Sequence, residues 1–171
     1  MYFQDQVHNA LIEECRRRLF DENYKRIEKC LSLISEEEVW QRPNDNSNSI
    51  GNLILHLCGN VRQWLVSGLG EQADVRKRQE EFDARKSYDK VGLIEQLESL
   101  KRDVNTTLDN LSSETWLKKR DVQCYHESGL SILIHVMEHF SYHTGQITFY
   151  VKAMKDLQTN YYDDKNLSKT N

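Results

Sequence analysis

The chain holds one proline, Pro43, and apolar side chains recur at helical spacing along most of its 171 residues. Proline breaks helices by removing an amide donor and clashing with the preceding turn, so a chain this poor in it has few enforced corners. Seven glycines add few more. Long helices are the form such a sequence most readily takes.

Segment 5–34 places Val7, Leu11, Leu19, Ile27, Leu31 and Ile34 at helical spacing, with Tyr24 and Cys30 filling in, an amphipathic pattern. A helix of that length runs on the order of 45 Å. Ser35 followed by Glu36, Glu37 and Glu38 reads as an N-cap with an acidic first turn. Pro43 and the polar run 44–48 break the chain, and Ser49 caps a second helix over 50–67 that ends near Gly68 and Gly70. A third spans 89–111 with Leu93, Ile94, Leu97, Leu100, Val104, Leu108 and Leu111 at helical spacing, and a fourth spans 130–156. The charged connection 71–87 reads as a solvated loop, and the connection 112–129 carries a short strand or turn around Val122 to Tyr125. Four amphipathic helices with long connections after the second and the third predict an all-α four-helix bundle. One domain is expected over 1–157 and a polar tail over 158–171, where Tyr161 and Tyr162 are the residues able to dock.

Charged residues make up 29% and apolar residues 38% of the chain, ordinary for a soluble globular protein. The net charge of −4 gives no basic footprint for nucleic acid, since Arg76-Lys77-Arg78 adjoins Glu80 and Glu81. The N-terminus lacks a basic region followed by an apolar run, so no signal peptide is expected. No apolar stretch approaches the roughly 18 residues of a membrane span. Cys15, Cys30, Cys58 and Cys124 form no CxxC pair and read as reduced thiols of a cytoplasmic protein. Cys58 reads as a buried small hydrophobe.

The chemistry is concentrated in histidines. His139 and His143 in His139-Phe140-Ser141-Tyr142-His143 stand four residues apart, neighbours on one helical face. They share a sector with His135, Gln146, Ile132, Val136, Phe140, Ile147, Tyr150 and Met154, whereas Glu138, Ser141, Lys152 and Lys155 lie opposite. The histidines therefore face inward. On the second helix His56 falls beside the stripe of Ile50, Leu53, Ile54, Leu57, Val61, Trp64 and Leu65, in a polar band with Ser49, Asn52, Asn60 and Gln63. Trp64 reads as core or interface, and Arg62 as facing solvent. An unpartnered buried polar group costs about 1–3 kcal/mol. Either core hydrogen bonds or a shared metal ion satisfies these imidazoles. Three neutral ligands with a position left open are what a catalytic zinc-type site uses.

Two segments resemble the DinB/YfiT-like superfamily of metal-dependent proteins. They are Ser49-Ile50-Gly51-Asn52-Leu53-Ile54-Leu55-His56-Leu57 and the run Leu133 to Ile147, which contains His139, His143 and the Gly145-Gln146 step. The Trp40 to Pro43 turn also fits, and the resemblance covers roughly 5–157. It implies His56, His139 and His143 as ligands of a divalent metal, zinc or nickel, with His135 in the core or behind the ligands. Some members of the superfamily are thiol S-transferases that use low-molecular-weight thiols such as bacillithiol, one branch holds a thiol-dependent maleylpyruvate isomerase, and members are often dimeric. The expectation is a metal-dependent thiol S-transferase or hydrolase acting on a small electrophile, in a homodimer. His135, Gln146 and Tyr142 are the catalytic candidates, and Asn52, Asn60 and Gln63 are candidates to anchor a substrate or thiol cofactor. The alternative is a non-catalytic metal-binding or dimeric stress-response bundle. At 71–87 the alternative to a solvated loop is one whose Arg76, Lys77, Arg78 and Arg85 close over an anionic thiol.

Overall fold

The computed structural model describes residues 2–163 and 165–169; Met1 and, from the expected tail, Asp164, Thr170 and Asn171 lie outside the described residues. The first long helix runs through α1 (Phe3–Arg16), a π-helical stretch (Arg17–Tyr24) and α2 (Lys25–Ser32). A short α3 (Glu36–Trp40) leads to α4 (Ile50–Val61), extended by a second π-helical stretch (Arg62–Ser67). Then come α5 (Arg78–Asp83), α6 (Lys90–Asp109), a 3₁₀ turn (Ser113–Trp116), the strands β1 (Lys119–Val122) and β2 (Tyr125–Ser128), and α7 (Gly129–Lys155). The bundle is built from the first long helix, α4, α6 and α7. The strands pair antiparallel, with Val122 opposite Tyr125.

Local chemistry starts these helices. Ser35 and Glu38 form a reciprocal capping box on α3, and Ser49 and Asn52 form another on α4. Asp89 accepts the Gly92 amide at 2.8 Å to begin α6, and Ser128 accepts the Ser131 amide at 3.1 Å to begin α7. The core joins Leu19, Ile27 and Leu31 to Ile54, Leu57 and Val61, to Leu93, Leu100 and Val104, and to Ile132, Val136 and Phe140, all buried. Trp40 lies so close over α4 that a Cβ at Gly51 would meet its ring at 2.8 Å. Among the described residues no helix is long and apolar enough to cross a membrane.

Three expectations need correction. Val7 is exposed, whereas Phe20 and Asn23 are buried. The π-helical stretch lengthens the turn from four residues to five and rotates the buried face relative to a uniform helical wheel. Segment 71–87 is not a solvated loop, because it contains α5, buries Glu81 and leaves the Arg76 side chain only 3% exposed. Arg62 does not simply face solvent: its Nε pairs with Asp103 Oδ2 at 3.0 Å.

The tail folds back. The Tyr161 hydroxyl lies 3.1 Å from Cys30 Sγ and 2.9 Å from Thr148 Oγ1, and Arg26 Nη2 donates to the Tyr162 hydroxyl at 2.7 Å.

Candidate metal centre

His56 lies two turns into α4, and His139 and His143 lie on successive turns in the middle of α7. Packing of these helices brings the three imidazoles together, with one ligand nitrogen from each within 4.8 Å of the others. His56 Nε2 and His139 Nε2 face each other at 2.9 Å. The His143 ring meets His56 edge-on at 4.9 Å and His139 at 4.5 Å between centroids. His56 is buried, and the other two are half-buried.

The far side of each outer ring decides which nitrogen is free. His56 Nδ1 lies 3.0 Å from Glu81 Oε2. Burial opposes ionisation of Glu81, but hydrogen bonds and charge from Arg76 and His56 outweigh it and hold the carboxyl below its ordinary range. An ionised carboxylate only accepts. Arg76 Nη2, 3.1 Å from the same His56 Nδ1, donates to Glu81 Oε2 at the shorter 2.8 Å, so a proton on Nδ1 serves the carboxylate and turns the Nε2 lone pair inward. His143 Nδ1 likewise donates to Gln146 Oε1 at 2.7 Å, which leaves its Nε2 free. Burial lowers the His139 pKa to about 3, assisted by His143, His56 and His135. Burial also lowers His143, with His56 adding to the effect and the Gln146 hydrogen bond opposing it. Both shifts favour the neutral ring of His139 and His143, the form in which imidazole binds metal.

This donor set fits a divalent ion. Nitrogens bound to one ion at about 2.1 Å sit roughly 3 to 3.5 Å apart, and the 2.9 Å pair already lies close to that spacing. Two ring nitrogens facing each other can share only one proton, so an ion satisfies both lone pairs where a hydrogen bond satisfies one.

His135 is not among the three converging imidazoles, although its ring stacks on that of His139 with centroids 5.3 Å apart. It stacks on Trp64 with centroids 3.8 Å apart, and its Nε2 is 3.4 Å from Asn60 Nδ2. Burial lowers its pKa despite Glu138 and Glu127 nearby. Beside it lies a cavity of about 390 Å³ lined by His56, His139, His135, Asn60, Trp64, Arg76, Arg78, Gln123, Tyr125, Glu127 and Ser131. Asn60 Oδ1 is buried with no hydrogen-bond partner among the described residues.

The remaining candidates are placed differently. Asn52 donates through Nδ2 to the carbonyls of Glu81 and Ala84 at 2.9 and 3.0 Å, which ties α5 to the start of α4. Gln63 accepts from Arg76 Nη1 at 2.8 Å and donates to Asp74 at 2.6 Å. Both grip the 71–84 segment and neither lines the cavity. Tyr142 touches the outer side of His143 edge-on but is 63% exposed and lines a separate groove between the first helix and α7. Sequence reasoning missed Glu81, and named Arg76 only as a loop cation, not as the partner of a buried carboxylate. No local signal marks the pair, since the segment is charged throughout.

An α-helical bundle with inward histidines on its second and last long helices defines a helical protein with a candidate three-histidine metal site. The chain belongs to the DUF1572 family, described as a protein of unknown function, whose profile matches residues 6–163. Its fold is similar to that of a DinB-like protein, YjoA, from Bacillus subtilis (TM-score 0.62, 18% identity, covering 85% of this chain and 91% of that one). A DinB-like protein from Bacillus cereus is similar at TM-score 0.64 and 13% identity, covering 82% and 90%. A conserved protein from Enterococcus faecalis is similar at TM-score 0.63 and 15% identity, covering 89% and 96%. No curated protein matches the chain.

Proposed function

We propose that this protein is a metal-dependent enzyme that holds a divalent ion, zinc or nickel, on His56, His139 and His143 and acts on a small molecule bound in the adjoining cavity. The observation that carries this reading is that His56 and His139 line the same cavity of about 390 Å³ as His135, an imidazole outside the cluster. A structural ion has no need of such a space. A bound ion would supply a Lewis acid and lower the pKa of a thiol or water at its open position. That chemistry suits transfer of a low-molecular-weight thiol to an electrophile, or hydrolysis.

The chain's own groups do the rest. His135 is neutral near pH 7 and its Nε2 is engaged only by a long contact to Asn60, so a reactant proton can be taken up there. Asn60 Oδ1 leaves a buried acceptor unmet beside the cavity, a cost of about 1–3 kcal/mol that a donor on a bound molecule offsets. Gln146 orients His143 through Nδ1. The free, buried Cys15, Cys30 and Cys58 support a cytoplasmic setting.

A second reading is a non-catalytic bundle that acts by pairing with a second copy. Ile134, Tyr142 and Phe149 lie within one sector of the outer face of α7, and Phe149 is 75% exposed. Elemental analysis of the untagged protein, with melting curves at added Zn²⁺ and Ni²⁺, tests the enzyme reading. About one ion per chain and a raised melting temperature are expected; metal-free protein with no melting shift overturns it. Thiol-conjugation and ester-hydrolysis assays on the loaded protein then separate the two chemistries, and gel filtration with light scattering tests the dimer.

A further inference from the structure

The segment from Arg76 to Ala84 runs across α4 and places a charged pair against His56. Glu81 and Arg76 are among the most enclosed charged side chains near the site, 10% and 3% exposed. Their contacts leave little slack. Arg76 Nε donates to Glu81 Oε1 at 2.7 Å, Nη2 donates to Oε2 at 2.8 Å, and Nη1 donates to Gln63 Oε1 at 2.8 Å. This is a bidentate fork on one carboxylate, a geometry that fixes position as well as charge. Oε2 is also the atom that faces His56 Nδ1 at 3.0 Å, and Arg76 Nη2 lies 3.1 Å from that nitrogen, so the pair meets His56 as a unit.

The helix beneath is shaped to admit that carboxylate. A Cβ on Gly59, three residues after His56 and on the same face, would lie 2.0 Å from Glu81 Oε1. Any other residue at 59 displaces Glu81. Asn52, one turn before His56, holds the carbonyls of Glu81 and Ala84. Asn52, His56, Gly59 and Gln63 thus form one stripe of α4 that receives the segment. A pair needed only to anchor a loop has no reason to turn one oxygen onto a histidine.

We propose that Glu81, clamped by Arg76, is a positioning residue that fixes the tautomer and ring orientation of His56, so that the 76–84 segment is part of the metal site. The proposal rests on the reading of His56, His139 and His143 as ligands. Histidine ligands whose second nitrogen is bonded to a carboxylate gain orientation and basicity, and loss of that carboxylate typically costs about 10- to 100-fold in metal affinity. Arg76 also lines the cavity, so the segment that braces a ligand builds the adjoining wall as well.

The test compares wild type, Glu81→Gln, the double variant Arg76→Met/Glu81→Gln, and His139→Ala. Zn²⁺ affinity is read by chelator competition, and ligand geometry by the visible spectrum of the Co²⁺ form. Glu81→Gln is expected to weaken Zn²⁺ binding about 10- to 100-fold and to change the Co²⁺ spectrum. The double variant, which leaves no unpaired guanidinium, is expected to remain as weak, and it carries the test if the single variant does not fold. Affinity within about twofold of wild type with an unchanged spectrum overturns the positioning role while the ligand assignment stands. Recovery of affinity in the double variant also overturns it, because the loss then came from an orphaned Arg76. Wild-type protein that binds neither ion, or His139→Ala that binds like wild type, overturns the ligand reading itself and the positioning role with it.

Discussion

His135 lies face to face with Trp64, ring centroids 3.8 Å apart and planes 29° apart. This stacking holds it away from the point on which His56, His139 and His143 converge, although His135 and His139 have the same four-residue spacing as His139 and His143. Stacked rings hold each other by dispersion and quadrupole attraction, worth about 0.5–1.5 kcal/mol beyond buried area. Trp64 occupies its place because the π-helical stretch Arg62–Ser67 carries it.

The first prediction separates the two kinds of histidine. His135→Ala is expected to bind one ion per chain as wild type does, with turnover of any substrate reduced by about 100-fold or more, the scale of general acid–base contributions. His139→Ala is expected to lose the ion. Elemental analysis after dialysis checks both, and an ion lost from His135→Ala would put that histidine among the ligands.

The second concerns acid. His139 takes up a proton only near pH 3 in the folded protein, chiefly because it is buried, whereas an unperturbed imidazole does so near 6.5. Between those values the unfolded state binds more protons, so stability is full above about 6.5 and declines as the pH falls toward 3. Melting temperatures of metal-free protein across that range are expected to fall steadily, and His139→Ala to flatten the slope. A wild-type slope no steeper than the variant's would contradict this.

How much of this was legible beforehand follows from the range of each signal. The long helices, the Ser35 and Ser49 caps and the inward direction of His139 and His143 depend on neighbours within a few residues, and periodicity carries such information. His56 was legible as the edge of a core stripe. The π-helical stretches were not, because a uniform wheel has no place for an added residue; Phe20 and Asn23 are buried within the first of them. Glu81 and Arg76 were hidden for another reason. Their burial depends on Gly59, Asn52 and Gln63 across 20 or so positions of chain, and a run of charges looks the same whether it faces water or a partner.

A third prediction follows from the thiols. Burial pushes Cys15 and Cys58 up to about 12 and also raises Cys30, whereas Cys124 is exposed at the hairpin turn. Native protein is expected to react promptly with Ellman's reagent at one thiol per chain, and urea-unfolded protein at four. Reaction runs through the thiolate, so prompt modification of a second native cysteine would show that a buried site opens.

The fourth tests the tail. Tyr161→Phe removes the hydroxyl that meets Cys30 and Thr148, and a cost of about 1 kcal/mol is expected. A chain ending at residue 157 loses Tyr161 and the Arg26–Tyr162 contact together, on the order of 2 kcal/mol or more. Urea unfolding measures both, and a shortened chain as stable as the full one would mark these contacts as incidental.

The hairpin of β1 and β2 gives the cavity Gln123, Tyr125 and Glu127, yet of its strands only Val122 enters the core. One wall of the cavity thus comes from the ribbon and the other from the bundle helices. Exchange at 123 alters the cavity wall alone, whereas Tyr125 packs on Trp64 and Glu127 accepts from Ser131, so changes there also reach the bundle. The two-stranded ribbon is therefore a wall whose Gln123 varies at little risk to folding, while its Tyr125 and Glu127 are tied to the helices behind them.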